Sequence, residues 1–268
     1  MLIPMWSDHI GMSNGNSGTA RTTPQAMSKH EEIADALTQD ILTGQYRVGE
    51  RLPSERDLAN RFEANRGAVR EAMKKLEQLG IADIQPGGAR VAPINQASLD
   101  VIGHLMALGD YPDRDLVDQI MVVLNSLVQT AVLSAVRRAD DAGLEHLRSL
   151  MRPIWGQKLE GEAYIEAQTN MFEGIMSASG NLPVQLIARS LLAQFRPQMA
   201  PLKDFSVPQG DTHGDLARRV DAAIGARDLG ALQASFNELS QFHRERMQRT
   251  FDAFEAAQQP ASLEVSAS

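Results

Sequence analysis

Residues 51–91 read RLPSERDLANRFEANRGAVREAMKKLEQLGIADIQPGGARV, and this stretch decides the fold of the N-terminal part of the chain. Its first part has the pattern of a short capped helix. The hydroxyl of Ser54 can accept a hydrogen bond from the amide of Asp57, which begins a helix that continues to Phe62. The sequence therefore predicts a helix just after the Leu-Pro-Ser segment.

A second helix follows after a turn at Glu63-Ala64. Asn65 can cap this helix at its start, and Gly80 ends it. Apolar residues recur in it at spacings of three and four, which is typical of an amphipathic helix: Val69, Met73, Leu76 and Leu79. The two helices and their turn predict a helix-turn-helix.

A hairpin follows the second helix, and another helix precedes the first. The short apolar runs 81–84 and 90–92 flank Gln85-Pro86-Gly87-Gly88, whose glycines allow the positive φ of a tight turn. Upstream, Ser28 and Glu31 form a capping box, and Gly44 closes that helix. The order of helix, helix, helix and hairpin predicts a winged helix-turn-helix.

The second helix of such a unit enters the major groove of DNA with its N-terminal side chains. Arg66 is the candidate base reader, because a guanidinium can bond bidentately to guanine. Arg56, Arg70 and Lys74 are candidate phosphate contacts. The full set of candidate DNA-binding residues is Arg56, Asn65, Arg66, Gly67, Ala68, Arg70, Lys74, Gln85, Gly87 and Gly88.

This block resembles the DNA-binding domain of the GntR family of bacterial transcription regulators. The resemblance rests on Leu-Pro-Ser-Glu-Arg-Asp-Leu-Ala at 52–59, on Arg-x-x-x-Arg-Glu-Ala at 66–72 and on Gly-Gly at 87–88. It covers about a quarter of the chain, from about 29 to 94. It implies a regulator that binds double-stranded operator DNA.

Composition predicts a cytoplasmic protein of two domains. The 268 residues exceed the roughly 150 of one typical domain, and there is no cysteine for disulfides, zinc ribbons or thiol chemistry. No stretch approaches the ~20 apolar residues of a membrane span, so no membrane partner is expected. The predicted divisions are a disordered leader 1–27, a winged helix-turn-helix 28–94, an all-helical effector-binding and dimerisation domain 95–257, and a disordered tail 258–268.

Net charge does not itself indicate DNA binding. The chain carries a formal charge of -8, and residues 29–94 hold ten Lys and Arg against eleven Asp and Glu. What favours DNA binding is position, because the basic residues gather on the two adjoining helices. They are Arg56, Arg61, Arg66, Arg70, Lys74 and Lys75.

The remainder of the chain is predicted to be a bundle of about seven helices, so the fold class is mainly α. The candidate segments are 99–108, 114–138, 142–159, 163–179, 183–199, 212–226 and 229–256. Segment 114–138 has apolar residues on nearly every side, which predicts a central helix buried all round.

Residues 170–174 read Asn-Met-Phe-Glu-Gly and residues 178–181 read Ala-Ser-Gly-Asn, and with residues 244–248 they resemble the effector-binding domain of the FadR subgroup, more loosely than the N-terminal block resembles its family. Many members of that subgroup hold a metal with an Asp and three His, but the three His positions are here Glu173, Ala217 and Leu239. His213 and His243 lie one helical turn from two of these positions and are interpreted as surface histidines, with a shifted metal site as the alternative. No metal and no cofactor are predicted.

The fatty-acid-responsive members of the subgroup also lack these metal ligands. The resemblance of this chain to them implies a long-chain acyl-CoA or fatty acid effector. The alternative is a small carboxylate metabolite. The candidate effector-binding residues are Asn170, Arg189, Phe195 and Arg196. The two arginines lie seven residues apart on one predicted helix, where they could meet an anionic ligand.

The function predicted from the sequence is a homodimeric, ligand-modulated transcription regulator that reads a palindromic operator. An effector would shift the segment 99–108 that joins the domains and so change the spacing of the two wings. An enzyme is not expected, because the chain shows no nucleophile elbow, phosphate loop or metal motif. An acyl-CoA carrier without DNA function is the alternative from another class.

Overall fold

The computed structural model describes residues 28–156, 161–205 and 210–258. The predicted leader 1–27 lies outside them, as does the predicted tail apart from Gln258, which ends the last helix. The described residues form two compact units that divide between Asp110 and Tyr111. The predicted fold class is confirmed: a small winged helix-turn-helix unit is followed by an all-helical unit.

Three helices and a hairpin build the N-terminal unit in the predicted order. They are α1 (Lys29–Leu42), α2 (Glu55–Arg61), α3 (Arg66–Gln78), β1 (Ala82–Gln85) and β2 (Gly88–Val91). The core lies where α1 and α2 pack on α3 and α3 packs on β1. Leu37, Leu58 and Leu76 are fully buried there, one from each helix. The predicted periodicity therefore marks the correct buried faces.

The turn of the hairpin is shorter than predicted, and its second strand is one residue longer. Gln85 pairs with Gly88, which leaves only Pro86 and Gly87 as the loop. Gly87 has φ of 111°, and a proline followed by a residue of positive φ suits the centre of a tight turn. The predicted strands, 81–84 and 90–92, are thus displaced because the two outer residues of the turn pair with each other.

A short helix, α4 (Val101–Met106), occupies only the middle of the predicted segment 99–108. It packs on α1, and Val101 belongs to the N-terminal core. The N-terminal unit consequently extends through Asp110, beyond the predicted boundary between 94 and 95. The difference arises because the apolar face of this segment is covered by α1.

Six helices form the C-terminal unit among the described residues, together with a 3-10 turn at Ala200–Phe205. They are α5 (Arg114–Arg138), α6 (Asp141–Gly156), α7 (Gly161–Ser179), α8 (Leu182–Gln198), α9 (Gly210–Gly225) and α10 (Leu229–Gln258). Each corresponds to a predicted segment. Helix α5 is capped by Asp113, whose Oδ1 accepts from the amide of Leu116 at 2.7 Å.

Helix α5 is central but not buried all round, so that prediction is wrong. It packs against α7, α8 and α10, whereas Val122 and Val123 remain 42% and 47% exposed. Among the described helices, α5 alone is long and apolar enough to cross a membrane, and half of its apolar window is buried inside the unit. Its packing is that of a core helix with one open face.

Two arginine–carboxylate pairs tie distant helices of this unit together. The Arg148 guanidinium on α6 donates from Nε and Nη2 to the two carboxylate oxygens of Asp221 on α9, at 2.9 and 2.8 Å. Arg244 on α10 pairs in the same way with Asp118 on α5, and this contact holds the pKa of Asp118 below its usual value. Bidentate pairs of this kind orient the helices as well as attract them.

Candidate nucleic-acid interface

The helix-turn-helix is capped as its sequence predicts. The amide of Asp57 donates to Ser54 Oγ at 3.3 Å, and the amide of Ala68 donates to Asn65 Oδ1 at 2.9 Å. Glu63 adopts a positive φ of 50° in the turn between the helices. These local interactions fix where α3 begins and so which side chains stand at its N-terminus.

The first two turns of α3 present their charged side chains to solvent. Arg66 and Arg70 are exposed, whereas Val69 and Met73 on the opposite face are buried in the core. A side chain on Gly67 would approach Asn65 Oδ1 to 3.0 Å, so glycine at this position leaves the helix cap undisturbed. The outer face of α3 has the form of a recognition helix.

Arg70 is not a free cation in this structure. Its Nε donates to both carboxylate oxygens of Glu55 on α2, at 3.0 and 2.9 Å. Both side chains are substantially exposed, at 63% and 41%, so the pair is screened by water and adds little to stability. Phosphate binding by Arg70 would require this pair to open or to be shared.

Other members of the predicted basic cluster also have acidic neighbours. Lys74 Nζ lies 2.8 Å from Glu71 Oε1, and Arg56 Nε lies 3.8 Å from Asp57 Oδ1. The hydroxyl of Ser54 donates to Asp57 at 2.6 Å and lowers the pKa of that carboxyl, which keeps it charged beside Arg56. The positive potential of this face is therefore smaller than its count of basic residues implies.

Two members of the predicted basic cluster form ion pairs with α1. Arg61 pairs with Asp40, which is largely buried, at 2.8 Å, and Lys75 Nζ lies 3.4 Å from Asp35 Oδ1. Both acidic partners belong to α1. These two cations join α1 to the helix-turn-helix.

Arg66 differs from its neighbours in the charge around it. Within the described part of the chain, no carboxylate lies at ion-pair distance from its guanidinium. The side chain is exposed at the first position of α3, where a recognition helix meets base edges. Its five donors are therefore available to a partner molecule.

The wing carries its three candidate residues at the tip of the hairpin. Gln85, Gly87 and Gly88 are all exposed. Sequence reasoning missed Arg51, whose guanidinium lies against Gly88. Residues 49–52 hydrogen-bond to β2 through the amides of Gly49 and Leu52 and so bring Arg51 to the wing, and this long-range contact has no local signal in the sequence.

The four candidate effector residues do not share one environment. Phe195 is fully buried, Asn170 is exposed, and exposed Arg189 pairs with Glu173. Arg196 is partly buried, which lowers the pKa of its guanidinium. A shared anion site for the two arginines would need Arg189 to leave Glu173.

His213 and His243 form a buried pair, so their interpretation as surface histidines is wrong. They are 3% and 6% exposed, and their ring centroids lie 5.4 Å apart. Burial lowers the pKa of His213 to about 4 and that of His243 well below its usual value, and the nearby charge of Arg246 acts in the same direction. Both rings are therefore neutral at pH 7.

The position of both histidines could have been read from helical spacing. His243 shares a stripe with Leu239 and Met247, and His213 shares one with Ala217 and Val220. Nε2 of His213 has no hydrogen-bond partner among the residues described. Over the same residues, no group of three or more histidine, cysteine or acidic side chains converges as a metal site would require.

A polar groove of about 600 Å³ runs between α5 and α10. Its lining residues are Asp118, Val122, Asn125, Ser126, Gln129, Asn237, Ser240, Gln241, Arg244, Glu245 and Gln248. None of the four candidate effector residues contributes to it. The groove between α5 and α10 is therefore lined mainly by polar side chains.

Comparison with known proteins agrees with this architecture. Residues 29–91 match the family described as bacterial regulatory proteins, gntR family. The HTH-type transcriptional regulator Mce2R of Mycobacterium tuberculosis is 25% identical over 76% of this chain and 86% of its own length. The galactonate operon transcriptional repressor of Escherichia coli is 28% identical over 60% of this chain and 72% of its own length.

A solved structure shows the same fold. It is that of Lar, described as controlling the expression of the Listeria monocytogenes agr system, and it covers 85% of this chain and 99% of its own at 17% identity, with a TM-score of 0.50. The match of residues 29–91 and the relatives that extend across both units point to one conclusion. Residues 29–91 are a domain of the gntR family of bacterial regulatory proteins, and the chain as a whole is similar to transcription regulators.

Proposed function

We propose that the protein binds a palindromic operator as a homodimer, with one α3 helix in the major groove of each half-site. The observation that carries this proposal is Arg66, an exposed arginine without an acidic neighbour in the described chain at the first position of α3. A two-fold symmetric dimer would present two such helices to two equivalent half-sites. Because the operator of a bacterial regulator lies in the cytoplasm, the protein is proposed to act there.

Each candidate residue has a proposed role at this interface. Arg66 reads a guanine, while Arg56, Arg70 and Lys74 contact phosphates once their acidic neighbours release or share them. Gly67 and Ala68 allow close approach of α3, and Asn65 fixes its first turn. The residues at the wing tip contact the adjoining backbone: Gln85, Gly87 and Gly88.

Replacing Arg66 with Ala is expected to weaken operator binding by about 1 to 3 kcal/mol for each half-site and to relax the preference at one base pair of each half-site, because a bidentate base contact is lost there. The measurement is fluorescence anisotropy with the duplex that the wild-type protein selects from a random-sequence pool, and with variants of it at each position. The free energy of unfolding should stay near that of the wild type, since the side chain is exposed.

Arg137→Ala is the matched control, because it removes an exposed arginine from the C-terminal unit. It should bind as the wild type does. Equal affinity of Arg66→Ala and wild type, with an unchanged base preference, would contradict the proposed docking of α3.

We further propose that a small ligand in the helical unit modulates operator affinity. The first ligand to test is a long-chain acyl-CoA, as the resemblance to metal-free, fatty-acid-responsive members of the FadR subgroup implies. Support comes from Glu173, Ala217 and Leu239, which stand where that subgroup's metal ligands would be. The buried methionines of this unit can also adapt to an irregular acyl chain: Met121, Met151, Met171, Met176, Met199 and Met247.

A small carboxylate is the second candidate ligand. The E. coli relative is described as the repressor of the galactonate operon, and galactonate is a sugar acid. The charge of Arg246 beside two neutral histidines is the feature of this chain that would favour an anion.

Calorimetric titration separates these ligands. Palmitoyl-CoA and galactonate would be titrated in turn into the full chain after treatment with a chelator. A stoichiometry of one palmitoyl-CoA per protomer, with a change in operator affinity, supports the lipid effector; heat with galactonate alone supports the carboxylate. A protein that bound palmitoyl-CoA but selected no DNA would instead be the carrier considered above.

Coupling between ligand and DNA is proposed to pass through the chain that follows α4. Because α4 packs on α1, a displacement of residues 107–110 would act directly on the N-terminal core. The ligand can change operator affinity only by as much as it prefers one arrangement over the other.

A further inference from the structure

A groove of about 480 Å³ lies between the wing, the first turn of α2 and the middle of α3. Arg51, Gly87 and Gly88 line it from the wing side, and Ser54 and Lys74 line it from the helices. Leu58 and Met73 are buried residues at its base. This groove belongs to the N-terminal unit and opens beside the exposed face of α3.

Arg51 is held in this groove by the wing. Its backbone pairs with Arg90 in an isolated bridge, and the next amide, of Leu52, donates to the carbonyl of Ala89 at 2.9 Å. A Cβ on Gly88 would lie 2.7 Å from Nε, 2.9 Å from Nη2 and 3.2 Å from Cζ of Arg51. The guanidinium therefore rests directly on the backbone of Gly88, where only glycine leaves room for it.

The charges around the groove single out Arg51. Glu55 also lines the groove, but its two carboxylate oxygens accept from Arg70. Lys74 pairs with Glu71. Arg51 is exposed, and no carboxylate of the described residues lies within ion-pair distance of it. Its positive charge is thus the least compensated in the groove.

We propose that Arg51 binds a phosphodiester of the DNA backbone at the mouth of this groove and so anchors the wing to the duplex. A guanidinium matches the oxygen atoms of a phosphate with two parallel donors. Contact with Gly88 holds the guanidinium in position before DNA arrives, so less side-chain freedom is lost on binding. This inference rests on the proposed operator binding and adds a contact outside the helix-turn-helix.

Arg51→Ala is expected to weaken binding roughly 5- to 30-fold for each protomer on the duplex, as the loss of one hydrogen-bonded charge contact in each half-site would. The plot of log affinity against log salt should become shallower by about one for each protomer on the duplex. The probes are the wild-type-selected duplex and a scrambled duplex of equal length. Both should be affected alike, because a phosphate contact carries no sequence information.

Two further variants distinguish a phosphate contact from a structural role. Arg51→Lys keeps the charge and should retain the wild-type salt slope with intermediate affinity. Arg249→Ala, an exposed arginine of α10, is the control and should match the wild type in both respects. Weaker binding of Arg51→Ala with an unchanged salt slope would indicate a folding defect and overturn the inference.

Gly88→Ala tests the contact between wing and arginine. The added methyl displaces the guanidinium and should weaken binding in the wild-type background. In the Arg51→Ala background the loss of affinity that comes from displacing the guanidinium should disappear. The loss that comes from backbone strain at φ of 129° remains in both backgrounds. Equal effects in the two backgrounds would show that Gly88 does not act through Arg51.

The outcomes separate this inference from the function on which it rests. A wild-type protein that binds neither duplex removes the proposed operator binding altogether. A wild-type protein that binds, beside an Arg51→Ala variant of equal affinity and equal salt slope, removes only the phosphate contact of Arg51.

Discussion

Lowering the pH from 7 to 5 is expected to reduce the free energy of unfolding of the C-terminal unit by roughly 2 kcal/mol through His213 alone. The pKa of this buried ring is lowered to about 4. Above its ordinary value of 6.5 neither the folded nor the unfolded chain is protonated there, so the full stability is present. Between 6.5 and 4 only the unfolded chain takes up the proton, and stability falls as the pH falls.

His243 should add to this loss, because burial lowers its pKa in the same direction. The carboxyl of Asp118 acts in a different window. Its pKa is lowered by Arg244, so its contribution persists until the pH falls below its ordinary value of 3.8. Between pH 7 and 5, the change in the free energy of unfolding therefore comes from the histidines and not from Asp118.

Urea unfolding at intervals of pH, followed by far-ultraviolet circular dichroism, would measure the effect. The variant His213→Gln/His243→Gln should lose most of the dependence on pH in this range, whatever its stability at pH 7. In the wild-type protein, the proton resonances of both rings should not titrate between pH 7 and 5. Ring titration near pH 6.5 would contradict the burial on which the prediction depends.

The helix boundaries were predictable because the signals that set them are local. Ser54, Asn65 and Asp113 each cap the helix that follows, as their sequence neighbours suggest. A capping oxygen and the amide three residues later are brought together by the helix itself. No knowledge of the remaining chain is needed for such a contact.

Charge pairing between helices was not predictable in the same way. Arg70 and Glu55 are 15 residues apart, and Lys75 and Asp35 are 40 apart. Their contacts depend on how α1, α2 and α3 pack, and one-dimensional spacing does not contain that geometry. A count of basic residues therefore overestimates the free positive charge on the candidate interface.

Burial in the C-terminal unit was misjudged in both directions for a related reason. An apolar residue such as Val123 can remain exposed when no helix covers its side of α5. A polar residue such as His243 is buried when its position on α10 faces the bundle. Residue type predicts burial only on average, whereas position on the packed face decides it in each case.

Replacing Gly80 with Ala is expected to destabilise the N-terminal unit by about 3 kcal/mol. Gly80 follows the last turn of α3 with φ of 69°, and its amide donates to the carbonyl of Glu77 while that of Ile81 donates to Leu76. This arrangement closes the helix and favours glycine. A Cβ there would also lie 2.8 Å from the carbonyl oxygen of Gln96, which belongs to rigid backbone.

Gly44→Ala is the matched control for this substitution. Gly44 follows α1 with φ of 80°, but a Cβ there would meet no atom within 4 Å. The control should cost about 1 kcal/mol from backbone strain alone. The difference between the two variants therefore measures the contact between the end of α3 and residues 96–97.

Hydrogen exchange of the amides in α1 and α3 is the measurement, because it reports on the N-terminal unit separately from the C-terminal one. Gly80→Ala should speed exchange in both helices far more than Gly44→Ala does. Operator affinity should fall with it, since the amide of Ser98 donates to the carbonyl of Leu79 at 2.8 Å and links the end of α3 to the chain before α4. Equal exchange rates in the two variants would mean that the segment 96–98 yields readily, and the recognition helix would then be held by its contacts with α1 and α2 and not by this segment.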